Sequence, residues 1–132
     1  MQKLSSIVYI MENKKALQLI SKIQENLNTS KKIDFNEIIN QLKEIREYSL
    51  EEKNPVVTKA LRLAYEHLQN NNAFLISIPE DDSFDEENEL ETTIGSENNL
   101  ESFAYFLSLI ADQSKKNNIL DLKAYNQSFL EF

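Results

Sequence analysis

The chain has 132 residues, no cysteine, one glycine, two prolines and a net charge of −8 from 22 acidic and 14 basic residues. The lack of cysteine excludes disulfide frameworks, cysteine-ligated zinc, iron–sulfur clusters and thiol nucleophiles within this sequence. A single glycine is too few for the tight turns of a sandwich or barrel and for loops that cradle phosphate, while the length suits one domain with its own core, spanning 1–132.

Helical periodicity dominates the reading in chain order. At the start, Leu4, Ile7, Val8 and Met11 share a helical face, but their stripe does not continue past "ENKK". Either the first helix breaks near Asn13 or these turns pack against another element; a short strand at "SIVYI" is the alternative. From Lys14 onward, Leu17, Ile20, Ile23 and Leu27 form an apolar stripe that Gln24 interrupts. Asp34 followed by Glu37 predicts a capping box, and Phe35, Ile38, Ile39, Leu42 and Ile45 form the stripe of a second helix. Ile33 is placed to staple against Ile38.

"NPVV" opens a third helix, with Asn54 as cap and Pro55 at the first helical position, where a missing N–H costs nothing. Its stripe is Val57, Ala60, Leu61, Ala64 and Leu68, and the triplet at 70–72 predicts its end. "AFLISIP", residues 73–79, reads as an extended segment lying on the core. A fourth helix, 97–114, is expected to open at Ser96. Its stripe holds Leu100, Phe103, Ala104, Leu107, Ile110 and Ala111, widened by Phe106 and Leu109. Such a broad apolar face is either central to the core or shared with a partner. Phe103, Phe106, Leu107, Leu109 and Ile110 are therefore the expected face of a homodimer. Lys115 and Lys116 are expected at the negative end of this helix. A last helix from about Asp121 presents Leu122, Tyr125, Phe129 and Phe132, and "FLEF" predicts a docked end. The predicted fold is all-α, a small bundle of four to five helices.

The charge is not spread evenly. Residues 80–91 hold eight carboxylates in twelve positions, a charge equal to that of the whole chain. No Lys or Arg occurs from 63 to 114, whereas residues 1–62 hold 11 bases and 8 acids. The acidic run lies in a predicted loop, 79–95, between the third and fourth helices. Adjacent carboxylates about 7 Å apart repel by roughly 0.6 kcal/mol in water, which favours an extended, flexible chain here. A calcium loop starting at Asp81 would find oxygen at Ser83 and Asp85. However, it meets Glu86 where glycine is required and Thr92 where glutamate is required, so no metal site is predicted.

The run combines charge for steering with apolar anchors. Glu80, Asp81, Asp82, Phe84, Asp85, Glu86, Glu87, Glu89, Leu90 and Glu91 are the expected contacts to a protein partner with a basic surface. His67, the only histidine, flanks the Leu68 stripe and reads as a structural or surface histidine, because no nucleophile or orienting carboxylate accompanies it. Lys59 and Arg62 read as a solvated face, so no nucleic-acid partner is expected. Apolar runs of five residues (7–11) and nine residues ("FAYFLSLIA") fall short of the roughly twenty a membrane span needs. The expectation is thus a cytoplasmic, cofactor-free, non-enzymatic interaction module. The competing readings are an enzyme with a carboxylate-only site and a nucleic-acid mimic.

Overall fold

A computed structural model describes residues 10–29, 32–79 and 99–132. Five helices occur among these residues: α1 (Lys14–Thr29), α2 (Phe35–Glu51), α3 (Pro55–Asn71), α4 (Leu100–Ala111) and α5 (Lys116–Glu131). They pack as an all-α bundle. Helix α3 contacts α2, α4 and α5, while α1 closes the bundle against α2 and α4. The buried apolar side chains form one cluster. No helix among the described residues is long and apolar enough to cross a membrane.

Each boundary has a local cause. The break expected near Asn13 is a cap: Asn13 Oδ1 accepts from the Ala16 N–H, and Glu52 Oε2 accepts from the N–H groups of Glu12 and Asn13. Before it, Ile10 bridges Asp112 antiparallel and the Met11 N–H donates to the Ala111 carbonyl, so residues 10–11 run alongside the end of α4. The remainder of "SIVYI" lies outside the described residues. Along α1 the buried stripe is Ala16, Ile20, Ile23 and Leu27, with Leu17 only half-buried. Gln24, the interruption, donates through Nε2 to the Ala104 carbonyl of α4 at 3.2 Å and ties the two helices together.

Asp34 caps α2, its Oδ1 accepting from Asn36 and Glu37 N–H, and all five predicted stripe residues are buried. Asn54 caps α3 through the Val57 N–H, with Pro55 first in the helix. The triplet ends α3 as expected: Asn72 adopts the left-handed conformation (φ 54°) and its N–H donates to the Leu68 carbonyl. Residues 74–79 then continue outside any helix or strand, with Phe74 and Ile76 buried on the core and the Phe74 carbonyl accepting the Asn99 N–H at 2.7 Å.

The fourth and fifth helices depart from expectation at three boundaries. Asn99, not Ser96, caps α4, accepting from the Ser102 N–H at 3.1 Å. The helix ends at Ala111, not 114, because Asp112 turns extended to meet Ile10 and Gln113 folds back onto the Leu109 and Ile110 carbonyls. Helix α5 starts at Lys116, not near Asp121. Lys115 is therefore the N-cap residue of α5, at its positive end, and not at the negative end of α4.

The breadth of the α4 face is used internally. Phe103, Phe106, Leu107, Leu109 and Ile110 are each at most 1% exposed in the single chain. Neighbouring helices and the segment after α3 already cover them, so they are not available as a face for a second copy. Ser102 and Tyr125 link α4 to α5. The Tyr125 hydroxyl donates to the Ser102 carbonyl at 3.0 Å, so the 2.8 Å contact with Ser102 Oγ has the serine as donor. Burial pushes the Tyr125 hydroxyl well above its ordinary pKa.

Candidate functional site

The acidic run 80–91, with Phe84 and Leu90, lies outside the described residues. Among the described residues, one feature that presents chemistry to a ligand is the corner where α2 turns into α3. Its sequence, "REYSLEEKNPVVTKALR", places Arg46, Leu50 and Lys53 at helical spacing along the end of α2. Pro55, Thr58, Lys59 and Arg62 do the same along the start of α3. The turn brings both faces together around a groove of about 580 Å³, lined by those seven residues and Asn54. Four of the eight lining residues are cations and none is acidic.

The inner wall is stiffened by buried polar contacts. Thr58 Oγ1 donates to the Asn54 carbonyl at 2.9 Å and meets Ser49 Oγ at 2.7 Å. Ser49 Oγ also lies 2.8 Å from the Arg46 carbonyl, and its single proton goes either there or to Thr58 Oγ1, the second choice linking α2 to α3. Asn54 Nδ2 donates to Gln113 Oε1 at 2.9 Å, and Gln113, only 2% exposed, spends its own amide on the end of α4. The groove wall is thus held to a third helix. The nearby Glu52 carboxylate is engaged at the start of α1.

The turn carries strain. Lys53 has φ 58°, a left-handed conformation that a side chain with a Cβ disfavours by roughly 1–2 kcal/mol. Its N–H donates to the Leu50 carbonyl and the next N–H, of Asn54, to the Ser49 carbonyl, which closes the end of α2. The arrangement is one that glycine usually fills. Here a lysine occupies it and contributes a cation to the groove.

Two polar atoms along this surface lack partners among the described residues. One is Arg46 Nε, buried in the groove wall. The other is Asn126 Oδ1, on a residue 8% exposed. Asn126 lines a second groove of about 340 Å³ with Val56, Lys123, Gln127 and Leu130, and this groove shares Pro55 and Lys59 with the first. The two form one surface across α2, α3 and α5. Arg46, Lys53, Lys59, Arg62 and Lys123 are its cations, and Leu50 and Leu130 are its exposed apolar side chains, 48% and 58% accessible. Of the cations, Arg62 pairs with Glu66 at 3.3 Å, an exposed contact worth less than about 1 kcal/mol.

His67 is structural, as its isolation in the sequence suggests. It is 6% exposed, and its Nε2 accepts the Leu75 N–H at 3.0 Å, which places the proton of the neutral ring on Nδ1. Its ring meets the edges or faces of Phe74, Phe129 and Phe132 at 4.8–5.8 Å. Burial lowers its pKa below the ordinary 6.5. Elsewhere the Tyr105 hydroxyl donates to Asp121, and this hydrogen bond, then burial and the carboxylate's charge, pushes the tyrosine up to about 12. No group of three or more His, Cys, Asp or Glu among the described residues could hold a metal ion.

The sequence reading notes Lys59 and Arg62 but passes over Arg46, Leu50 and Lys53. The missed signal is two cationic helical faces converging on one cap residue, Asn54. Comparison with protein-family models, curated proteins and solved structures finds no match to this chain.

Proposed function

We propose that this protein is a non-enzymatic interaction module whose contacts are built on segregated charge. The observation that carries this reading is the cationic surface across α2, α3 and α5, with exposed leucines among its lysines and arginines. Charge of one sign beside exposed apolar anchors is the chemistry of steered protein recognition. The acidic run 80–91 extends the same reading with the opposite sign: it suits a protein partner with a basic surface. A carboxylate-only enzyme has no observation among the described residues in its favour, since these grooves are lined by cations, amides, a hydroxyl and aliphatic side chains.

The test is a quantitative pull-down from native lysate with three proteins: the unaltered chain, the double variant Lys53→Glu, Lys59→Glu, and a deletion of residues 81–92. The expected result is that each alteration removes its own set of partners. An identical partner set for all three proteins sinks the proposal.

A further inference from the structure

We infer that the groove at the α2–α3 corner and its continuation onto α5 receive an acidic amphipathic helix from another protein. This rests on the interaction reading above and names the chemistry of its partner. Two observations select it. First, the cations Arg46, Lys53, Lys59 and Lys123 surround the surface, and no acidic side chain lines it. An incoming carboxylate therefore meets cations from three helices at short range. Second, Leu50 and Leu130 lie on the same surface, about half exposed, and a charged ligand alone would leave them uncovered. A helix with apolar side chains on one face and carboxylates flanking it satisfies both, as in other helix-in-groove contacts.

A nucleic-acid strand fits less well. Its phosphates would use the lysines, but they offer Leu50 and Leu130 no apolar contact. An anionic membrane would cover the leucines with acyl chains, and the vesicle arm of the experiment below separates it from a helix.

The experiment uses the purified full chain and fluorescence anisotropy. The probe is a labelled glutamate-rich helical peptide with leucines at i, i+3 and i+4. Companion probes replace its leucines by serine or its glutamates by glutamine, and a single-stranded oligonucleotide and phosphatidylserine vesicles complete the set. The expected result is saturable binding of the first peptide, weakened roughly tenfold or more by either replacement. Lys53→Glu with Lys59→Glu should cause a similar loss, and Leu50→Ser a smaller one. Lys32→Glu, away from the groove, should change nothing. Circular dichroism confirms that each variant folds. The inference is overturned if the first peptide binds no better than its glutamine counterpart, if the groove variants leave binding intact, or if the oligonucleotide or vesicles bind more tightly. Loss of lysate partners in the double variant without peptide binding overturns the helix as occupant and leaves the interaction module standing.

Discussion

Helix α3 begins at an open cationic corner and ends in a cage of aromatic rings. At its far end, His67 packs among Phe74, Phe129 and Phe132, and Phe74 stacks on Phe103 with ring centroids 4.6 Å apart and planes 8° from parallel. Phe106 and Tyr125 complete the cage. Rings of this size fill space, and Phe74, Phe103, Phe106 and Tyr125 are fully buried. At the near end, the residues that could fill the space are lysines and arginines whose charged heads stay in water, so their stems wall a groove instead of closing it. The same helix is therefore a core element at one end and a surface element at the other.

That contrast predicts unequal costs of truncation. Phe106→Ala or Phe74→Ala should cost about 3–5 kcal/mol, a large part of a typical domain's whole stability. Leu50→Ala in the groove should stay within about 0.5 kcal/mol. Urea unfolding of both variants measures the difference; a Leu50→Ala cost near that of Phe106→Ala would mean the corner is packed, not open. Asn54→Ala comes next. It removes the cap of α3 and leaves Gln113 Oε1 buried without its donor, and the expected loss is about 2–3 kcal/mol in the same measurement.

The aromatic end was legible in the sequence and the corner was only half so. Stripes such as Phe35–Ile45 and Val57–Leu68 announce burial because periodicity and hydropathy point the same way. Asp34, Asn54 and the 70–72 triplet mark ends because their side chains or backbones meet free amides and carbonyls directly. The end of α4 was not legible: it depends on Gln113 and on the bridge from Ile10, a contact about a hundred residues away in sequence. The width of the α4 face carried two meanings, core or partner, and only the packing of α1, α3, α5 and Phe74 around it decides for core. The groove was hidden for a related reason. Lysines on a helix read as solvated until a turn sets two such faces against each other.

The cage has its own pH signature. His67 is neutral in the fold, and its pKa lies below the unfolded value of 6.5. Its contribution to stability is therefore complete above pH 6.5 and is lost as pH falls below it toward the folded pKa. Protonating Nε2 would also remove the acceptor for the Leu75 N–H. Over the unit below pH 6.5 the loss is at most about 1.4 kcal/mol. His67→Gln keeps an acceptor in reach but cannot titrate, so its unfolding free energy should fall less over that range. Equal slopes for the two proteins would remove His67 as the cause.

The smallest expected effect is the most pointed, because it sets the two left-handed residues against each other. Asn72 ends α3 at the aromatic end and Lys53 ends α2 at the groove. Asparagine tolerates this conformation, so Asn72→Gly should change stability by only a few tenths of a kcal/mol. Lysine does not, so Lys53→Gly should relieve strain, offset in part by the greater freedom of glycine in the unfolded chain. The net gain is about 0.5–1 kcal/mol, seen as a rise in Tm of a few degrees. The same substitution removes one of four cations from the corner and should weaken peptide binding there. A variant that gains stability as it loses affinity would show that Lys53 is kept for the groove at the expense of the fold. A Lys53→Gly protein that gains nothing, or that binds as before, would show that the strain at this turn and the charge in the groove are unrelated.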